Sequence, residues 1–403
     1  MKCSASDRDC SAARRASVVV LGAGASGKAA ARLAAGLGFA VRMLEGDDEL
    51  SADEPAVLAV VSPGIPLTHR WIGACLERGI RVVSELQFGV EECRRRGIRL
   101  LAVTGSKGKS SVVKAVADGL CRAGFAAVPC GNYGKPVCEV AIERSAAWAV
   151  VEVSSFQMET TALAADTFEA AAVLNLQEDH IDRHGSVKAY HELKMRLLSM
   201  ARCGMPPPSA DEARSAAALA AGSYFGNEIL AGNAACAAFL MRAAGLSDAQ
   251  IAGAFREFRP LPHRMECVGV FGGIRCIDDS KATSIEALAA GLTMAGSRIL
   301  LVAGGLAKGD DPSKAISPLT ERVKKVYLIG RCAEVFRDAW SGAVDCEVCG
   351  TMERAVASAM GDAVRGDVLL LSPGAASFDQ FENFGRRGEV FAELAKREGL
   401  KKK

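Results

Sequence analysis

The residues best placed to do chemistry begin at Thr104-Gly105-Ser106-Lys107-Gly108-Lys109-Ser110-Ser111. An apolar run, Leu100 to Val103, leads into two glycines, a lysine and two hydroxyls, and an apolar-periodic segment predicted as a helix follows. That order gathers bare backbone N–H groups and a helix N-terminus around an anion. Lys109 can set a point charge beside the terminal phosphates of ATP, and Ser110 can offer its hydroxyl to Mg²⁺. Val103 stands where the full eight-residue phosphate loop has glycine, so a shortened loop is expected, with residues Gly105, Ser106, Lys107, Gly108, Lys109, Ser110 and Ser111 taking the nucleotide. A plain glycine-rich turn is the alternative.

Other constellations lie on either side. Gly22, Gly24 and Gly27 follow the apolar run Val18–Leu21, and Glu45 closes the next predicted strand. That is the spacing of a dinucleotide fingerprint, which taken alone points to NAD and a dehydrogenase, or to no more than a tight turn. Ser62-Pro63-Gly64 predicts a second turn on the same sheet edge. Glu152 ends another apolar run and could hold Mg²⁺ as a hard oxygen ligand, although Ser154 and Ser155 after it could simply cap a helix. His180 and His184 are spaced i,i+4, but the order of a zinc HExxH motif is absent. His180 is therefore expected to contact magnesium or substrate, and His184 and His191 to lie on the surface. Lys194, in an amphipathic segment, reads as an ordinary solvated lysine. Three further loops, Asp278–Ser284, Gly304–Lys308 and Ser372–Phe378, each follow a predicted strand. At one edge of an open sheet they would bring Lys, Thr and Ser together, a set suited to holding a carboxylate.

The elements that must position these residues are continuous rather than alternating apolar strands, separated by helical patterns. Such strands are buried on both faces, as in parallel α/β sheets. The 403 residues fall into three blocks, 1–97, 98–262 and 263–403, with Pro260 and Pro262 breaking any helix at the last boundary. The net charge of +2 offers no electrostatic footprint for nucleic acid or an anionic membrane. No apolar run approaches the ~20 residues of a membrane span, and the N-terminus has no signal-peptide core. A cytoplasmic protein with free thiols is expected, the lone Cys346-Glu-Val-Cys349 included. Residues 1–16 are expected as a loose arm and Lys401–Lys403 as a solvated tail.

Taken in order, TGSKGKSS (104–111), GNYG (131–134), EVSSFQMETT (152–161), LNLQEDHIDRH (174–184), LPHR (261–264), DDSKATS (278–284) and SPGAASFDQFENFGRRG (372–388) resemble the Mur ligase family, and its D-glutamate-adding member most of all. The resemblance implies an α/β chain of three domains: a Rossmann-like N-terminal domain, a central P-loop ATPase-like domain with a mostly parallel sheet, and a Rossmann-like C-terminal domain. It implies amide-bond formation through an acyl phosphate, paid for by ATP with Mg²⁺, between UDP-N-acetylmuramoyl-L-alanine and D-glutamate. Ser26, Gly27, Glu45 and Ser62 would then bind the uridine diphosphate part in place of NAD, and Asn132, Ser154 and Gln157 the muramoyl end. Asn233, Arg264, Asp279 and Lys281 would complete the ATP site. Ser110, Glu152, His180 and a carbamylated Lys194 would hold metal, with Lys109, His180 and Lys194 in the catalytic machinery. Thr283, Lys308, Ser377 and Phe378 would hold D-glutamate. Closure of the third block over the second, a monomer, and no nucleic-acid or membrane partner are also implied. Related amino-acid ligases, including those that add glutamates to folate, are the alternative. The sequence departs from the family between Lys194 and Asn233, where it is short and rich in Pro and Ala, and Leu230-Ala231-Gly232-Asn233 replaces the usual Gly-x-His-Asn.

Overall fold

The computed structural model describes residues 16–51 and 55–401, so the readings made for residues 1–15 and 402–403 lie outside it. The chain divides into two compact units between Phe258 and Arg259.

The first unit carries two all-parallel sheets. One has the order β2-β1-β3-β4, from β1 (Ser17–Leu21), β2 (Ala40–Leu44), β3 (Ala56–Val61) and β4 (Arg81–Ser84). The other has the order β6-β7-β5-β8-β9, from β5 (Arg99–Thr104), β6 (Ala127–Gly131), β7 (Trp148–Glu152), β8 (Phe168–Val173) and β9 (Ala201–Met205). The apolar runs of β1 and β5 occupy inner positions and are buried on both faces. Strands β4, β6 and β9 were not marked by apolar runs. They are sheet edges, where a polar strand or the proline of β6, Pro129, is tolerated. Helices α1 (Ala25–Gly36), α2 (Arg70–Glu77), α3 (Glu85–Arg95), α4 (Lys109–Arg122), α5 (Val137–Glu143), α6 (Ser155–Glu159), α7 (Ile181–His184), α8 (Val187–Met195), α9 (Ala210–Leu219) and α10 (Ala231–Ala243) complete the elements used below.

One hydrophobic cluster runs from Val18 and Val20 through Leu86, Val90 and Cys138 to Ala102 and Val151. The two sheets thus share a core, which is why the first two sequence blocks form one unit. At its centre α5 starts against the middle of α3. A Cβ on Gly89 would lie 2.6 Å from the Cys138 nitrogen and 2.7 Å from the Val137 carbonyl carbon. Gly89→Ala should therefore cost about 1–3 kcal/mol of stability by overpacking, read from urea unfolding. An unchanged midpoint would mean that the helices part freely.

Glu85, at the start of α3, accepts the Cys138 N–H at 2.7 Å through Oε1, while its buried Oε2 has no hydrogen-bond partner among the described residues. Burial raises this carboxyl from 4.5 to about 7. The folded state therefore holds its proton where the unfolded chain has lost it. The resulting penalty grows as pH rises from 4.5 to about 7 and is fully present above that. Glu85→Gln keeps an acceptor without the charge. It should stabilise the protein at pH 8 by up to about 3 kcal/mol and have little effect at pH 5. Equal melting temperatures for the two proteins at pH 8 would refute this account.

The second unit is one sheet of order β10-β11-β15-β12-β13-β14: β10 (Glu266–Phe271), β11 (Ile274–Asp278), β12 (Ile299–Gly304), β13 (Val323–Ile329), β14 (Cys346–Gly350) and β15 (Val368–Leu371). Only β10 runs antiparallel to its neighbour. Separate apolar cores, around Leu288, Leu301 and Trp340 and around Leu300, Tyr327 and Phe391, cover its two faces. Cys346 and Cys349 lie on the edge strand β14. Burial pushes their thiols up to about 11 and about 12, the opposite of a reactive pair. Among the described residues no helix is long and apolar enough to cross a membrane.

Candidate active site

The loop between β5 and α4 is built by its backbone. Gly108, the residue before α4, has φ 85°, and a Cβ there would lie 2.4 Å from Nδ2 of Asn233. The position therefore needs glycine for conformation and for space. It also places Asn233, in the first turn of α10, directly against the loop. The loop is pinned from β8's side: Ser106 N–H donates to the Asn175 carbonyl at 3.0 Å, and Asn175 exchanges side-chain bonds of 2.9 and 3.0 Å with the backbone of Lys107. Lys109 Nζ folds onto the carbonyls of Gly105 (2.8 Å) and Ser106 (3.1 Å).

Lys194 reaches the same place from α8. Its Nζ donates to the Gly105 carbonyl at 3.0 Å, and the residue is 1% exposed. The solvated lysine read from the helix pattern is thus corrected: packing turns this face of α8 inward. Burial, and then the neighbouring charge of Lys109, pull its ammonium down to about 7, with Asp179 and Glu152 opposing. Tyr190, one turn earlier, lies under Lys194 Nζ at 4.6 Å from the ring centroid and places its hydroxyl 3.2 Å from Ser106 Oγ. Sequence reading passed over Tyr190; its i−4 spacing from Lys194 was the available signal.

Glu152 ends β7 beside this loop and is buried. Its Oε1 accepts from Asn132 Nδ2 at 2.8 Å, whereas the buried Oε2 has no hydrogen-bond partner among the described residues. A buried carboxylate oxygen with no donor suits a cation. The donor set fits magnesium: a carboxylate oxygen, the half-buried hydroxyl residue Ser110, and a lysine that would supply oxygens once carbamylated.

His180 precedes α7 with φ 52°, and its ring packs against Phe156 with centroids 4.8 Å apart. His184 and His191, expected on the surface, are both partly covered. The His184 side chain is 5% exposed, bonded to Ser155 Oγ at 3.0 Å and paired with Glu159, because the short α7 packs onto α6. Nε2 of His191 is buried. Ser154 and Gln157 form a reciprocal capping box at the start of α6; of the two serines read as caps, Ser154 is the cap and Ser155 is the first helical residue. On the first sheet, Ser62 Oγ donates to the Gly22 carbonyl at 3.2 Å, and a Cβ on Gly27 would meet that carbonyl oxygen at 1.8 Å. The turn after β1, with Gly22 and Gly27, thus meets Ser62 at the end of β3, with Ser26 in α1 and the exposed Glu45 just beyond β2. Arg183 bridges toward that edge, donating to the Ile65 carbonyl at 3.1 Å while paired with Glu159.

In the second unit the three small-residue loops follow β11, β12 and β15, which are adjacent and parallel. Lys308 Nζ donates to Thr283 Oγ1 at 3.1 Å. Ser377 is buried and Phe378 is 71% exposed. Asp279 accepts from Ser372 Oγ at 2.9 Å and from the Met265 N–H at 3.2 Å, and burial raises its carboxyl to about 7. Lys281 Nζ lies 4.1 Å from the Phe384 ring centroid. The fully buried Arg387, another residue not singled out from sequence, ties two loops together through Ser280 Oγ and O and the Ala375 carbonyl. His263, Glu266 and Asp278 lie close enough to share a metal ion. His263 Nδ1 is instead 2.7 Å from Asp278 Oδ2, and a Cβ on Gly388 would fall within 2.3 Å of both atoms. The C-terminal helix, Phe384–Leu400, fills that space, so the trio acts as a clasp that fixes the backbone before Arg264.

Residues 103–205 match the Mur ligase middle domain, and residues 263–374 the Mur ligase glutamate ligase domain. The UDP-N-acetylmuramoylalanine–D-glutamate ligase of Methylobacillus flagellatus is 35% identical over 383 residues, covering 85% of this chain and 83% of that protein. That of Gloeobacter violaceus is 34% identical over 441 residues, covering 94% and 98%. The chain belongs to the Mur ligase family. Solved Mur ligases share its fold at 13% identity: the UDP-N-acetylmuramate–alanine ligase of Thermotoga maritima, with a TM-score of 0.55 over 94% of this chain and 99% of that one, and a MurF ligase of the same organism in complex with ADP, with a TM-score of 0.58 over 87% and 90%.

Proposed function

We propose that this Mur ligase is an ATP-dependent, ADP-forming enzyme that joins the carboxylate of UDP-N-acetylmuramoyl-L-alanine to the amine of D-glutamate in peptidoglycan precursor synthesis. The observation that carries the reading is the meeting of Lys109 and Lys194 on the Gly105 carbonyl of a phosphate loop, in the unit where Glu152 keeps a buried, unpartnered oxygen. The identity with D-glutamate-adding relatives over most of the chain supports the choice of substrates.

An amide does not form from a carboxylate and an amine in water without activation. Transfer of the ATP γ-phosphoryl group to the carboxylate gives an acyl phosphate and ADP. The D-glutamate amine then attacks the carbonyl, and phosphate leaves from the tetrahedral intermediate. Residues Gly105–Ser111 cradle the phosphates, and Lys109 neutralises charge on the transferred group. Asn233, Arg264, Asp279 and Lys281 hold the rest of the nucleotide. Ser110, Glu152, His180 and carbamylated Lys194 would hold magnesium, which when bound screens the phosphate oxygens. Ser26, Gly27, Glu45 and Ser62 take the uridine diphosphate part, and Asn132, Ser154 and Gln157 the muramoyl end. Thr283, Lys308, Ser377 and Phe378 take D-glutamate, the lysine pairing with a carboxylate. Residues 1–97, 98–262 and 263–403 divide these tasks, in a monomer acting in the cytoplasm.

The test is an amino-acid panel with phosphate detection. Release of ADP and phosphate is expected only with both UDP-N-acetylmuramoyl-L-alanine and D-glutamate. Turnover with L-alanine, a diamino acid or a folate acceptor in their place would overturn the assignment.

A further inference from the structure

Helices α1, α3 and α5 end around a cavity of about 470 Å³ in the first unit, lined by Gly36, Leu37, Glu92, Arg95, Arg96 and Arg144 among others. It opens where the strands begin: Ile98 lines it directly before β5. The phosphate loop leaves the far end of that six-residue strand, about 20 Å away. The two places are distinct.

Three arginines, Arg95, Arg96 and Arg144, and one glutamate, Glu92, line it. Glu92 is buried, and its two oxygens are taken by Arg95, at 2.9 Å, and Arg96. Arg96 also donates to the Ala141 carbonyl in the last turn of α5, the usual reason for a cation at a helix C-terminus. That accounts for Arg96 and half of Arg95. Arg144 is left with no ion pair among the described residues. It also caps α5 with φ 55° and ψ 16°, a left-handed conformation that glycine or asparagine adopts at lower cost. An exposed arginine in a strained backbone position, at the mouth of a cavity with surplus positive charge, calls for a ligand of opposite sign.

We propose that this cavity binds a small multivalent oxyanion, bridging Arg144 at the end of α5 to Arg95 at the end of α3. Because α3 follows β4 of the first sheet and α5 follows β6 of the second, an anion there would stiffen the junction between them. Guanidinium forks accept phosphate and carboxylate alike, so both chemistries are tested.

The experiment is calorimetric titration of the full chain with pyrophosphate and, separately, citrate at constant ionic strength. It is repeated for Lys109→Ala, which disables the phosphate loop, and for Arg144→Gly and Arg95→Gln. Binding should persist in Lys109→Ala and weaken by about tenfold or more in each arginine variant. Arg144→Gly should melt, without anion, no lower than the parent, since glycine suits the left-handed cap. Binding that vanishes in Lys109→Ala and survives Arg144→Gly would put the anion on the phosphate loop and end the proposal. So would an effect that sodium chloride reproduces, or no binding of either anion at millimolar concentration. A preference for pyrophosphate over citrate, or the reverse, names the natural class.

Discussion

Lys109→Ala should lower ligase turnover by about 1,000-fold, or about 4 kcal/mol of transition-state stabilisation, with the fold intact. The lysine sits in the first turn of α4, and its Nζ is held by the carbonyls of Gly105 and Ser106. Phosphoryl transfer leaves little covalent work for the protein, so positioning and charge supply the rate, and a fixed cation at the loop is a large share of that charge. Nζ donates to two carbonyls of its own loop, so losing those bonds should cost about 1–3 kcal/mol of stability, which leaves the variant folded. The measurement is steady-state ADP release beside a thermal melt. Activity within tenfold of the parent, in a folded variant, would mean that the loop does not handle the transferred phosphate.

Lys194 should be nearly as costly to lose, for a different reason. Lys194→Ala is expected to reduce turnover by about 100- to 1,000-fold. The informative variant is Lys194→Arg. Arginine keeps a positive charge but does not form the carbamate that would turn this position into an anionic ligand. If Lys194 served as a cation toward Gly105, arginine would rescue it; if it serves as a carbamate, arginine should be as inactive as alanine. The second outcome is expected, together with activity that falls in buffer stripped of carbon dioxide and returns on adding bicarbonate. The burial of Lys194 and its pull toward the neutral amine fit that role, since only the neutral amine reacts with carbon dioxide. Full activity of Lys194→Arg would reject it.

The interior strands were legible because burial on both faces demands continuous apolar sequence: Val18–Leu21, Leu100–Val103, Ile299–Ala303 and Val368–Leu371 all lie in inner strands. The edge strands β6, β9 and β14 were not, because an edge tolerates proline, arginine and glycine and carries no such pattern. The phosphate loop was legible for a related reason. Its glycines serve the backbone, and a backbone requirement shows directly in residue type.

The order of its motifs was enough to assign this chain to a class of enzymes, because phosphate binding, strand burial and helix capping are local and leave local marks. Whether a given polar side chain faces solvent or the interior is another matter, since that depends on which elements pack against it. The helix pattern made Lys194 an ordinary solvated lysine, and His184 and His191 were expected on the surface; the packing of α7 and α8 against α6 and the phosphate loop buried Lys194 and partly covered the two histidines. Tyr190, Arg387 and the unpartnered oxygen of Glu152 gained their meaning in the same way, from neighbours distant in sequence that folding brought within a few ångströms.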